Sequence, residues 1–455
     1  MSVDRRGTSE GARGARAAGL VVGLVALFAS REASASPEDL FGYGPRSSAM
    51  GGTGAASAQG FEAAWGNPAL LSRMTSRKLT LGYGGATFGL TRTPEGGPSI
   101  SHDAEAARGI FIGADLPLPF GGILKDRVGA ALAFYTPSSI IIRGRLLYPD
   151  KPQFPLLGER AQSLTVRAGF GVDIGYGLRV GAGFAALAEI VGDVIVATDA
   201  SGRVGTRVED QLVASYAPTF GATYDLPFWR GARLGATFRG TLDARFSVLI
   251  DATKLSSLNI PVFNISGLAQ YDPAQLAVEL AHESRERTVA MGVTYKGWSA
   301  YRGPIEPTVP CPEGEEGCGA LVPPTVPYRD TVVVRVGLDE KIHVTPSLEG
   351  HARVGAFFET SPLPATLPSS DAFDLAQKEL RSVPTRYYDG SRLAGTLGLG
   401  LSMKAPLPPL DLDLYTQLHA VLPREITSEV AGGPPERTSI SGRVLVYGFL
   451  AGVRF

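Results

Sequence analysis

The stretch Leu410-Asp411-Leu412-Asp413-Leu414-Tyr415-Thr416-Gln417-Leu418-His419-Ala420-Val421-Leu422 sets apolar and polar side chains in strict turn. Even positions carry Leu410, Leu412, Leu414, Leu418 and Leu422; odd ones carry Asp411, Asp413, Gln417 and His419. A helix would bring residues three and four apart onto one face, so a period of two belongs to a β-strand with one face in an apolar phase. The alternation recurs along the chain. Leu393, Leu397, Leu399, Leu401 and Met403 oppose Arg392, Thr396, Ser402 and Lys404. Val344, Leu348, Ala352, Val354 and Phe358 face away from Thr345, Ser347, Glu349, His351 and Arg353. Phe238, Leu242 and Phe246 oppose Arg239, Asp243 and Arg245, and Leu164 to Ile174 has Arg167 and Asp173 on its polar side.

A soluble sandwich alternates too, so connection lengths decide the class. Strands are read at 77–91, 108–117, 127–137, 162–176, 178–190, 209–224, 231–249, 274–283, 287–299, 329–339, 342–359, 391–404, 410–424 and 440–455. Long connections alternate with short ones at Gly177, Asp225 to Arg230, Asp339-Glu340-Lys341 and Ala405 to Pro409. Tight turns at one end and long loops at the other are the asymmetry of outer-membrane barrels. Mean hydropathy is only +0.07, as expected when every second residue is apolar, and after the N-terminus no run of about 20 apolar residues offers a membrane helix. The expected fold is all-β: a transmembrane antiparallel up-and-down β-barrel of about 14 strands, with residues 77–455 forming the barrel and its long extracellular loops.

Residues 1–35 read as a signal peptide. Arg5, Arg6, Arg13 and Arg16 are basic, Ala17 to Ala29 is a short apolar run, and Ala33-Ser34-Ala35 is a small-residue cleavage box. Export implies an oxidising compartment, so Cys311 and Cys318 are expected to close a small loop as a disulfide. Charge is balanced, 43 Lys and Arg against 44 Asp and Glu, which speaks against a nucleic-acid partner. No pattern calls for a metal or cofactor, and no G-x-S-x-G elbow or complete phosphate loop suggests an enzyme. At the other end, Val453, Ala451, Phe449, Tyr447 and Leu445 alternate with Arg454, Gly452 and Gly448 ahead of the terminal Phe455. Such an ending is similar to the signal read by the outer-membrane barrel-assembly machinery.

Residues 36–76 do not alternate. They are rich in small residues (Ala49-Met50-Gly51-Gly52-Thr53-Gly54-Ala55-Ala56) and lead to Trp65-Gly66-Asn67-Pro68-Ala69. Too short and too apolar to be a separate domain, the segment is expected to plug the lumen. Gly44 to Gly52 followed by Asn67-Pro68-Ala69 resembles the N-terminal hatch of the FadL/TodX family of outer-membrane hydrophobic-compound transporters. Tyr295-Lys296-Gly297-Trp298-Ser299 and Arg353 to Pro362 resemble later segments of that family. The resemblance implies a fourteen-stranded barrel with a hatch (Gly51, Gly52, Asn67, Pro68, Ala69), carrying long-chain fatty acids or aromatic hydrocarbons passively inward. It also implies capture among outer loops, a pocket near Leu40, Phe41 and Tyr43, and sideways release. That family's wall gap needs a kinked third strand, a place held here by Phe134-Tyr135-Thr136-Pro137 without a matching motif.

Two loop stretches are too apolar for water and are expected to form the capture groove: Ile140 to Leu157, and Leu255 to Leu268 with Leu258, Phe263 and Ile265. Arg239, Asp243, Arg245, Glu349, Arg353, Asp411 and Asp413 are expected to face the lumen, where they either hold a head group or pair with one another. Partners are then a hydrophobic ligand and outer-membrane lipid. A general porin for polar solutes and a structural or adhesive surface barrel are the competing readings.

Overall fold

The computed structural model describes residues 42–138, 142–143, 149–158, 162–198, 204–254, 263–303, 325–374 and 379–455. Only the backbone is described at 142–143, 162–163, 189–198, 204–213, 244–254, 263–270, 371–374 and 379–380. Fourteen strands form the wall: β1 (Lys78–Pro94), β2 (Ala107–Pro117), β3 (Val128–Pro137), β4 (Thr165–Gly175), β5 (Leu178–Thr198), β6 (Val204–Asp225), β7 (Ala232–Arg239), β8 (Gln275–Glu283), β9 (Arg287–Lys296), β10 (Thr331–Thr345), β11 (Leu348–Glu359), β12 (Arg392–Met403), β13 (Leu410–Ser428) and β14 (Glu436–Arg454). Each pairs antiparallel with the next. β14 closes on β1 in unbroken register from Lys78↔Arg454 to Pro94↔Thr438. Closure removes the edges that an alternating sheet would otherwise expose.

The outer face explains the apolar half of the alternation. Leu81, Phe170, Phe220, Leu276, Val334, Leu397, Leu418 and Phe449, drawn from strands all round the wall, are exposed. In water such a belt would drive aggregation; in hydrocarbon it matches its solvent. The molecule is a transmembrane β-barrel.

Several strand boundaries differ from those read in the sequence: β5, read to 190, runs to Thr198, β6, read from 209, begins at Val204, and two other differences change the pairing. Asp339-Glu340-Lys341 is not a turn but part of β10, and the chain turns at Pro346-Ser347 instead. The charges that look turn-like serve ion pairs, Asp339 with Arg46 and Arg353 and Lys341 with Glu349. Pro346, which has no N–H for the ladder, marks the true break. The span 231–249 likewise is not one strand: β7 ends at Arg239, where Gly240 N donates to Pro218 O at 2.8 Å. Beyond it, strand Leu242–Lys254 leaves the wall to pair with Phe263–Asp272 and, in parallel, with β5 at 190–197. β7 pairs directly with β8. Alternation carries on through the break because it is local, while the partner changes.

One further irregularity concerns the wall. β1 pairs with β2 over 78–86 and with the short strand Ile100–His102 over 90–92, leaving Thr87 to Gly89 without a partner on that side. The third strand, by contrast, runs without a register shift from Gly129 to Pro137 opposite β2.

Candidate functional site

Residues 42–74 pack against inward-facing residues of the wall as short helical turns: α1 (Pro45–Ala49), α2 (Ala63–Gly66) and a 3₁₀ stretch at Pro68–Arg73. Small residues make this placement possible. Gly51 and Gly52 adopt φ of +70° and +73°, a left-handed conformation that favours glycine. On the wall, a Cβ at Gly221 would fall 1.9 Å from Asn67 Oδ1, and one at Gly235 2.0 Å from Ala55 O. Wall backbone and segment backbone thus touch directly.

Specific polar groups hold the contact. The Glu279 carboxylate accepts from the Gly54, Ala55 and Ala56 amides at 2.6, 3.0 and 3.1 Å and from Ser57 Oγ at 2.6 Å. Within the segment, Glu62 accepts from the Arg46 and Ser47 amides at 2.9 and 2.8 Å and from Ser47 Oγ at 2.6 Å. Burial raises the Glu62 carboxyl above its ordinary range despite those hydrogen bonds. Arg46 Nε meets Asp339 at 2.9 Å, and Arg46 Nη1 donates to Ser57 O. Asn67 Nδ2 donates to Ala55 O, Ala222 O and Ala236 O, while Asn67 Oδ1 caps Ala69 N.

The inner wall has two characters. Over β14, β1, β2 and β3, buried inward positions include Val444, Val446, Leu450, Ala86, Leu90, Ala107, Phe111, Ala131, Ala133 and Tyr135, with glycines between them, and the polar Thr80 and Asp115 toward the end with the tight turns. These join one contiguous apolar cluster. It runs from Phe154, Leu156, Leu157, Leu363 and Leu367 in the outer connections down to Tyr43, Phe61, Leu70 and Leu71 of the N-terminal segment, and it also takes in Tyr271, Trp298, Tyr301 and Tyr328 in the connections next to β8, β9 and β10. Half-buried Phe88 and Ala104 pack against it beside the unpaired stretch of β1. The arc from β7 to β12 is polar instead: Arg233, Thr237, Arg239, Gln275, Glu279, Thr294, Lys296, Asp339, Arg353, Glu359, Arg392 and Thr396 are buried there.

An aromatic box marks where the arcs meet. Tyr43 stands 6.1 Å from Phe61, 6.4 Å from Trp65 and 6.0 Å from Phe111, ring centre to ring centre, and Phe111 is 5.0 Å from Tyr135. Two guanidinium groups lie over the Trp65 ring, Arg167 at 4.1 Å and Arg239 at 4.4 Å. Cations over an indole face are attracted by its quadrupole, so the box has a charged rim. Arg167 also meets Asp272 at 3.8 Å. Between the segment and the polar arc, a cavity of about 40 Å³ touches Gly54, Ala55, Trp65, Arg239, Glu279 and Thr294. That is room for little more than water.

Of the residues singled out in the sequence, Gly51, Gly52, Asn67, Pro68 and Ala69 lie inside the wall, and Tyr43 is in the aromatic box. Arg239 donates to Trp65 O and Gln275. Arg353 bridges Asp339 at 3.4 Å and Asp413 at 2.5 Å; Glu349 meets Lys341 and Lys404; Asp411 meets Lys78 and Arg454. Asp243 and Arg245 sit on the strand that leaves the wall, not on the wall itself, and only the backbone of Arg245 is described. Phe263 and Ile265 belong to strand Phe263–Asp272, described by backbone alone. Leu40, Phe41, Leu258, Cys311 and Cys318 lie outside the described residues. Phe455 is exposed, its amide bonded to Arg77 O. Sequence reasoning passed over Glu279, Trp65 and Arg167 as site residues, because nothing local distinguishes a polar residue that meets the segment from one that does not.

No protein-family model and no curated protein matches the sequence. Solved structures do. A Pseudomonas aeruginosa FadL homologue is 15% identical, covers 93% of this chain and 99% of its own, and superposes with a TM-score of 0.60. The Pseudomonas putida toluene transporter TodX is 16% identical, covers 92% and 99%, and gives 0.54. By fold, the chain belongs with the FadL homologue and the TodX transporter.

Proposed function

We propose that this barrel is an outer-membrane channel for passive uptake of hydrophobic small molecules, with residues 36–76 as its hatch. The observation that carries the reading is the contiguous apolar cluster along β14, β1, β2 and β3, from the outer connections to the N-terminal segment. A long acyl chain or aromatic ring gains roughly 0.8 kcal/mol per buried CH₂, so it follows continuous apolar contact and avoids a wet pore. The named transport of toluene by TodX, which shares the fold, supports the same class of cargo. Phe154, Leu156 and Leu157 then serve capture, the aromatic box serves as the pocket, and the hatch blocks the periplasmic end. The lapse of wall pairing at Thr87 to Gly89, with Phe88 and Ala104 packed against the cluster beside it, supports sideways release there.

The test is photo-crosslinking of the purified full barrel with a diazirine-bearing fatty acid and, in parallel, a diazirine-bearing alkylbenzene. Labelled peptides should come from β14, β1, β2 and β3 and from 149–158. Labelling confined to the β7 to β12 arc, or none above a detergent blank, contradicts the reading.

A further inference from the structure

The lipid-facing wall, around the stretch of β1 proposed for release, carries a feature that passage of a solute does not itself require. Rising from the end with the tight turns, outward positions are Leu79, Leu81 and Tyr83 on β1, and Leu116, Ala114, Ile112 and Ile110 on β2. On β14 they are Val453, Ala451, Phe449, Tyr447 and Leu445. On both flanks of β1 this apolar series ends in an arginine. Arg108 on β2 stands opposite Gly85, and Arg443 on β14 stands opposite Gly89; both are exposed.

The strand between them is bare. A Cβ on Gly85 would come within 3.3 Å of both Arg108 Cγ and the Tyr447 hydroxyl, and one on Gly89 within 3.3 Å of Arg443 Cγ and 3.4 Å of its Nε. The two arginine stems therefore reach over β1 from opposite sides, with exposed Thr87 between the two glycines. Their levels are four strand residues apart, about 13 Å along the strand.

Neither side chain has an ion pair or hydrogen bond among the described residues. Other cations nearby are matched. Lys78 and Arg454, at the opposite end of the same strands, meet Asp115 and Asp411, and Arg437 lies 3.9 Å from Glu95. Leu79 to Thr87 spans eight residues, which at the usual tilt covers roughly 20 Å of an apolar band that is about 25 Å tall. The arginines thus stand at the outer margin of the band, at the level of lipid headgroups. There a charge on the lipid face is tolerated, and a planar guanidinium takes a phosphate through two parallel hydrogen bonds.

We propose that Arg108 and Arg443, flanking the bare outer face of β1, hold the phosphates of an outer-leaflet phosphoglycolipid headgroup. Tyr447 and Thr87 hydroxyls stand within the same patch as further donors. The site depends on the barrel and its orientation, and it stands or falls separately from the cargo.

The experiment is native mass spectrometry of the full barrel in detergent, titrated with a diphosphorylated glucosamine-disaccharide lipid, its dephosphorylated counterpart and sodium phosphate. Retention of the diphosphorylated lipid should exceed that of the dephosphorylated one by about tenfold or more, since charge-assisted bidentate contacts are lost with the phosphates. The R108Q/R443Q double variant should lose that margin, R108K/R443K should keep most of it, and excess sodium phosphate should not displace the lipid. Binding is read only on protein that shows the heat-dependent gel shift of a folded barrel. Should the double Gln variant not fold, Gly89→Leu, which displaces the Arg443 stem, carries the same expectation. Equal retention by wild type and variant, equal retention of the two lipids, displacement by free phosphate, or an arginine-dependent dimer in place of a lipid adduct would each overturn the proposal.

Discussion

Asn67 ties three backbones together with one amide: its own segment at Ala55, and the wall at Ala222 and Ala236. Fully buried, it has no water to replace those partners. Asn67→Ala should loosen the segment by roughly 1–3 kcal/mol, the usual cost of stranding buried polar groups. Faster protease cleavage within 42–76, on a barrel whose heat-dependent gel shift is unchanged, is the expected result. Glu62 gives a pH dependence of known sign. Its carboxyl is raised by burial, so the docked segment binds the proton more tightly than the free one. Docking therefore strengthens as pH falls through the raised value, with no further gain below about 4.3, where the undocked carboxyl is protonated too. Hydrogen-exchange protection of the Arg46 and Ser47 amides, corrected for intrinsic rate, should rise on acidification from neutral pH. A fall would contradict the assignment.

At the scale of elements, glycines set where segment and wall can meet. Gly221→Val would place a side chain where Asn67 Oδ1 now sits. β6 should still pair with β5 and β7, since the ladder is untouched, while the segment is driven from its seat. The expected outcome is a folded barrel with a protease-sensitive N-terminus and increased ion conductance in planar bilayers; wild-type conductance would contradict it. Alternation made the wall strands legible, because each side chain's face follows from its own position. The break at Gly240 was not legible, since Leu242, Asp243 and Phe246 continue the same alternation on a different partner. Asp339 to Lys341 looked like a turn for want of knowing that Arg46 of the N-terminal segment and Arg353 opposite on β11 would meet Asp339. Sequence tells which way a side chain points, and tertiary closure tells what it meets.

At the scale of the whole molecule, the lumen is an apolar arc facing a polar one. The polar arc grips the segment through Glu279, Thr237, Arg239, Asp339 and Thr396, and the apolar arc is the route proposed for cargo. Inward residues of β14, β1 and β2 were visible in the sequence as alternating positions. Their shared apolar character was not, since it emerges only when the last strand lies beside the first. The most direct measurement compares two variants that each add one carboxylate to the inner face. Val446→Glu falls on the apolar arc, and Thr223→Glu falls outside it, on β6 beside the polar arc and near Arg179 and Arg233. Uptake of a radiolabelled long-chain fatty acid and of toluene would be followed in cells lacking their own hydrophobic-compound channel, with surface expression matched. Val446→Glu should lower uptake about tenfold or more, in keeping with the cost of burying a charge among apolar groups, and Thr223→Glu should leave it within about twofold of wild type. Equal uptake by wild type and Val446→Glu, or a loss confined to Thr223→Glu, would contradict an apolar path along β14, β1, β2 and β3.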